Sequence, residues 1–170
     1  MDRQAGFTVL EWMAAITILS IVLAVGIPSF NQQLEQSRLT AATNSLLTGI
    51  HFARTEALRI GQRVVICTSA DQQTCQPQAA WHDGWIIFPD PTASGQPDGP
   101  LLRVHKASGA NITITGNQPV ANYISYTPDG RTKFLSGAMQ MGTITLCGSN
   151  YGRQLVINHA GRVRTVRIEC

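Results

Sequence analysis

Glu11 is the one ionisable residue in a run that is otherwise almost unbroken apolar from Phe7 to Ile27, just before Pro28. A carboxylate in such a segment is costly unless a partner compensates it, which marks it as a functional residue. No cation lies between Glu11 and Arg38, and Arg3 sits outside the apolar run. The compensating charge is therefore expected from another chain; a glutamate that snorkels to the interface is the plainer alternative. Redox chemistry is open to Cys67, Cys75, Cys147 and Cys170, all of which follow the apolar run. An even set beyond a membrane segment points to two disulfides in an oxidising compartment, against free thiols in a cytosolic protein. Three pairings are open. Locality favours Cys67–Cys75, closing a short polar loop, and Cys147–Cys170, tying the last strand to an earlier one of the same sheet. Phosphate chemistry is open to Arg153, Arg162, Arg164 and Arg167, which have Glu169 as the only nearby acid. Guanidinium groups grip phosphate oxygens in pairs, so these arginines are a candidate phosphate contact. The competing reading is an edge strand whose charges block edge-to-edge pairing.

No catalytic constellation accompanies them. His51, His82, His105 and His159 fall in different elements, and no HExxH, GxSxG or phosphate-loop motif occurs. The Cys67 and Cys75 spacing is too wide for a CxxC redox pair, and no histidine lies between them for zinc. The chain therefore reads as a non-enzyme that needs no metal or cofactor. The net charge of +3 on 170 residues is too modest to argue for nucleic acid by itself.

These residues must be positioned by a long helix and a set of strands. Residues 7–27 are long enough for a helix to cross a hydrocarbon core of about 30 Å. Arg3 before the span places the N-terminus on the cytoplasmic side and the cysteine-bearing part outside. A cleaved signal peptide is disfavoured, because the helical pattern continues past Pro28. The small residues Ala14, Ala15, Ala24 and Gly26 would let neighbouring helices approach. Phe30, Leu34, Leu39, Ala42, Leu46, Ile50, Ala53 and Ala57 recur at helical spacing and predict an amphipathic continuation over 28–61, ending at Gly61. The whole helix, from near Phe7 to near Ile60, would be about 80 Å long. Residues 62–170 then read as strands and turns. The expected strands are Arg63–Thr68, Gly84–Phe88, Leu101–His105, Ile112–Thr115, Tyr123–Thr127, Gly142–Cys147, Gln154–Asn158 and Arg162–Glu169. The fold class is α+β, a ladle with an antiparallel sheet wrapped on the helix. Trp81 and Trp85 are expected as core aromatics. Alternation places Arg162 and Arg164 on one face of the last strand with Val166, Ile168 and Cys170, and Arg167 on the other. The first face is expected to dip into the core towards its end, leaving the two arginines near a mobile hairpin tip. Lys106, Arg131 and Lys133 would extend their surface.

Gly6-Phe7-Thr8-x-x-Glu11 resembles the processing site of type IV pilins and type II secretion pseudopilins, with Leu10 and Pro28 also matching and Trp12 departing from the usual aliphatic residue. The resemblance implies a leader over residues 1–6, cut after Gly6 by a prepilin peptidase that methylates the new N-terminal Phe7. It implies that the Glu11 carboxylate meets the amine of a neighbouring subunit's Phe7. Three inner segments are similar to the FimT/FimU minor pilins and the H-type pseudopilins: His51–Ala57 with Gly61–Val64, Trp81–Phe88, and Gly161-Arg162-Val163-Arg164. That resemblance implies a minor pilin or pseudopilin initiating or capping a pilus or secretion pseudopilus. Its partners would be other pilins, an inner-membrane assembly platform and the bilayer. In FimT-like pilins, a Gly-Arg-x-Arg tail implies double-stranded DNA as a further partner.

Overall fold

The computed structural model describes residues 8–107 and 112–170, without the side chains of 24–29 and 31. It divides into two compact units, Met1–Ser37 and Arg38–Cys170. Helix α1 spans Val9–Ile60 and contributes to both. In the first unit its described apolar side chains point to solvent all round, Val9, Leu10, Trp12, Met13, Ile16 and Leu19 among them. The hydroxyls of Thr17 and Ser20 donate back to the carbonyls of Met13 and Ile16, at 2.7 and 2.6 Å, so neither depends on water. Among the described residues no helix is long and apolar enough to cross a membrane. Of the expected 7–27 span, Phe7 and the side chains of Ala24–Ile27 lie outside them, as do Gly6, the expected leader and the proposed packing positions Ala24 and Gly26.

In the second unit the buried stripe of α1 is Leu39, Leu46, Ile50, Ala53 and Ala57. The stripe expected from Phe30 onwards starts later, since Phe30 and Leu34 are 63% and 39% exposed. Gly61 ends the helix with φ +64° and donates its amide to Ala57 O at 3.1 Å. This is the left-handed cap that a glycine adopts without a Cβ penalty.

Eight strands follow: β1 Val64–Thr68, β2 Gly84–Pro89, β3 Arg103–Lys106, β4 Thr113–Gly116, β5 Tyr123–Tyr126, β6 Gly142–Cys147, β7 Tyr151–Ile157 and β8 Val163–Glu169. They form two four-stranded sheets, in the orders β3-β2-β1-β5 and β4-β6-β7-β8, rather than the one sheet expected. Every pairing is antiparallel. The main core joins α1 to one face of each sheet through Ile66, Trp85, Ile87, Ile124, Ile144, Leu146 and Leu155. A second, smaller core lies on the other face of β1 and β2, where Val65, Cys67, Ile86 and Phe88 are packed by Cys75, Leu101, Tyr123 and Leu135. Burial on both faces explains why VVICT and GWIIF are continuous apolar runs instead of alternating ones.

Trp81 and Trp85 are core residues, 1% and 3% exposed, and Trp81 Nε1 donates to Val120 O at 3.0 Å. The Trp85 indole lies against Gly49, where any side chain would collide with it. Gln140, fully buried, ties β5 to the short turn Gln118–Val120 that precedes it: its Oε1 accepts from Ser125 N, and its Nε2 reaches the carbonyls of Pro119 and Tyr123. The disulfides are Cys67–Cys75 and Cys147–Cys170. The second passes over Gly152 of the intervening strand β7, where a Cβ would run into Cys170 Sγ.

Candidate functional site: the helix N-terminus and the arginine turn

Glu11 stands in the first turn of α1. Its carboxylate accepts from the amide and the hydroxyl of Thr8, at 2.8 and 3.0 Å, and Thr8 Oγ1 lies 3.3 Å from Glu11 N. This reciprocal pair is a capping box, and it satisfies two of the helix's orphan amides. In this single chain Glu11 is therefore held as a helix cap. Its own chain supplies hydrogen-bond donors at the positive end of the helix dipole, which is where a carboxylate is stabilised. The signal was present in the sequence as Thr8-x-x-Glu11 ahead of an apolar run. Gly6 and Phe7, the expected processing residues, lie outside the described residues.

The four arginines do not form one patch. Arg153 on β7 is paired across the ladder with Arg167 on β8. They share the side that carries Leu155 and Ile157 into the core, and Arg153 Nη2 donates to Thr40 Oγ1 of α1 at 3.0 Å. Arg164 is opposite Val156 on the other side of the sheet. The face carrying Arg164, Val166 and Ile168 is thus the outer one and does not dip into the core. Val166 is 37% exposed, and Val163, on the opposite face, packs against the main core. The reason is position: β8 is an edge strand at the far side of its sheet from β4, so little of the molecule is left to cover it.

Arg162 and Arg164 are exposed, and neither meets a carboxylate among the described residues. They flank the end of the β7–β8 turn, Asn158–Gly161. That turn is fastened rather than mobile. Gly161, at φ +75°, sits against the Gly130 carbonyl so closely that no side chain would fit. Thr132 N donates to His159 O at 3.1 Å, which brings the segment with Arg131 and Lys133 beside the turn. Arg131 is engaged by Asp129 at 3.4 Å. Lys106 ends β3 in the other sheet, paired with Gly84.

Arg54 of α1 donates its Nη2 to Ala160 O at 3.2 Å. The two positions are too far apart in the chain for any local pattern to connect them. Arg59 and Glu56 form a local ion pair, which lowers the Glu56 pKa through the Arg59 hydrogen bond. His105 stacks on Trp85 with ring centroids 4.7 Å apart, and its Nδ1 lies 3.3 Å from Ser45 Oγ. Burial holds its pKa below the ordinary 6.5. The ring floors an open groove of about 530 Å³ between α1 and β3, lined also by Asn44, Thr48 and Arg103. Among the described residues no cluster of metal-ligating side chains occurs.

Comparison with known proteins gives a consistent picture. The profile of the family described as type II transport protein GspH matches residues 42–161. That of the prokaryotic N-terminal methylation motif matches residues 1–27. Prepilin peptidase-dependent protein D of Escherichia coli K12 is 45% identical over 40 residues, which is 24% of this chain and 27% of that protein. The chain thus aligns with about a quarter of that relative's length. Two crystal forms of the type IV minor pilin FimU of Pseudomonas aeruginosa share the fold at 24% identity, with TM-scores of 0.60 and 0.57. They cover 78% and 75% of this chain, and 90% and 92% of the FimU chains.

Proposed function

The chain belongs to the GspH family of type II transport proteins, and from that premise we propose that this minor pilin or pseudopilin initiates or caps a helical fibre at the bacterial inner membrane. The observation that supports the reading most is Glu11 in the first turn of a helix whose flanking side chains, Val9 to Leu23, are exposed and apolar except for Thr17 and Ser20. An apolar surface of that kind is suited to lipid before assembly and to neighbouring helices afterwards. A prepilin peptidase cuts between Gly6 and Phe7 and methylates the new amine. Glu11 then exchanges its Thr8 donors for the Phe7 amine of a neighbour. Attraction in a dry interface is strong but is largely offset by desolvation, so the pair acts chiefly as a register device. The periplasmic domain, residues 62–170, faces the oxidising side, consistent with its two disulfides. Glu11→Ala protein is expected to be processed and to stay in the membrane fraction. Its recovery in sheared fibres at the wild-type level would overturn the register role.

The exposed, acid-free Arg162 and Arg164 favour a second activity, contact with double-stranded DNA through its phosphates. Such binding is weak, independent of sequence and sensitive to salt, with a log–log slope of about −2 for two neutralised phosphates. Replacing Arg162 and Arg164 by Gln abolishes it. An unchanged gel shift in that variant removes the reading. Arg153 and Arg167, on the opposite side of the sheet from Arg164, lie outside this contact.

A further inference from the structure

Four consecutive carbonyls of the β7–β8 turn each accept a hydrogen bond from the body of the domain. Asn158 O accepts from Thr132 Oγ1 at 3.0 Å, and His159 O from Thr132 N at 3.1 Å. Ala160 O accepts from Arg54 Nη2 at 3.2 Å, and Gly161 O from the Tyr126 hydroxyl at 3.4 Å. The donors come from α1, from the end of β5 and from the segment after it. Tyr126 and Thr132 are fully buried. The turn is also closed on itself: Asn158 N donates to Arg162 O at 3.1 Å and Arg162 N to Asn158 Oδ1 at 3.0 Å. A hairpin needs only the internal bonds to turn the chain, so the four external ones fix where the turn points.

We infer that Arg54, Tyr126 and Thr132 are positioning residues for the Arg162/Arg164 pair. They draw the turn's carbonyl oxygens towards buried donors and hold the backbone that carries both guanidiniums, so that the pair meets duplex phosphates already ordered. This rests on the DNA-contact reading above. Carbonyl oxygens carry partial negative charge, and turning them inward removes repulsion that a phosphate would otherwise meet. Ordering the backbone beforehand removes a cost that binding would otherwise have to cover. Burial pushes the Tyr126 phenol well above its ordinary pKa, so it remains a donor throughout.

The test uses the full-length chain in detergent micelles and a short mixed-sequence DNA duplex, with fluorescence anisotropy at several salt concentrations. Tyr126→Phe removes one hydroxyl and no charge. Arg54→Lys keeps the charge and loses the planar fork. Each should weaken binding about two- to tenfold, the range of one net hydrogen bond. The salt slope should stay at the wild-type value, because the number of phosphates met is unchanged. Circular dichroism at the wild-type level shows that each variant is folded. Wild-type affinity in both variants, with binding lost in Arg162→Gln/Arg164→Gln, overturns the positioning role alone. A salt slope smaller by about one in Arg54→Gln, which removes the charge, makes Arg54 itself a phosphate contact and overturns it too. Wild-type affinity in the double arginine variant overturns the DNA contact on which the inference rests.

Discussion

Removing the Cys147–Cys170 bond should loosen the C-terminal strand more than its seven-residue ladder suggests. The cysteines are 23 positions apart, and a loop of that size restrains the unfolded chain by about 3.4 kcal/mol on the chain-entropy account. Strand β8 has few other anchors, since its packing against the main core is through Val163 at its opposite end. Replacing both cysteines by alanine should therefore lower global stability by about 3 kcal/mol and should fray Arg167–Cys170 first. Urea unfolding of the full-length chain in micelles reads the first effect through Trp81 and Trp85, which are 1% and 3% exposed. Amide hydrogen exchange along β8 reads the second. Gly152 gives an internal control. Its Cβ would meet Cys170 Sγ, and also Ile168 Cγ1 and Leu146 O at 2.9 Å each. Gly152→Ala should cost about 1–3 kcal/mol in the wild-type background and less once the disulfide is gone. A loss below about 1 kcal/mol on deleting the disulfide, with unchanged exchange across β8, would refute the reasoning.

Trp81→Phe keeps most of the apolar volume but leaves Val120 O without its 3.0 Å donor. It should destabilise the domain by about 1–3 kcal/mol in the same urea assay. His105 has a folded pKa below 6.5, so the unfolded chain takes up its proton first as pH falls. Its contribution to stability is complete above about pH 6.5 and declines below that value, so the unfolding temperature should drop between pH 7.5 and 5.5. His105→Phe, which retains a ring against Trp85, should flatten that decline. Thr8→Val removes the hydroxyl partner of Glu11 and should weaken the first turn of α1 by about 1 kcal/mol, seen as faster amide exchange at Trp12.

Much of the fold was legible because its signals are local. Gly142–Cys147 was read with the bounds the structure gives, and Gly61 ended the helix as expected. Strand β7 was read too short, from Gln154 instead of Tyr151, because Gly152 interrupts the pattern; the disulfide crossing above it is a long-range reason for that glycine. The division into two sheets was not legible, since strand order depends on pairings that no turn residue specifies. On β8, alternation gave the correct parity but the wrong inward face. Val166 and Ile168 made the outer face look apolar, whereas Val163 makes the contact with the core. The helix N-terminus was read for its charge and not for its cap, although Thr8-x-x-Glu11 was in plain view. Arg54 could not be connected to the turn, because its partner is Ala160, 106 residues away.

On the function proposed above, this chain becomes a pilin-type subunit once its leader is removed and Phe7 carries the new amine. Intact-mass and N-terminal peptide analysis of the protein recovered from membranes that contain a prepilin peptidase tests it most directly. The expected chain begins at N-methylated Phe7, and a precursor accumulates when Gly6 is replaced by Leu. A mature chain that begins near residue 28, or normal leader removal in Gly6→Leu, would contradict it.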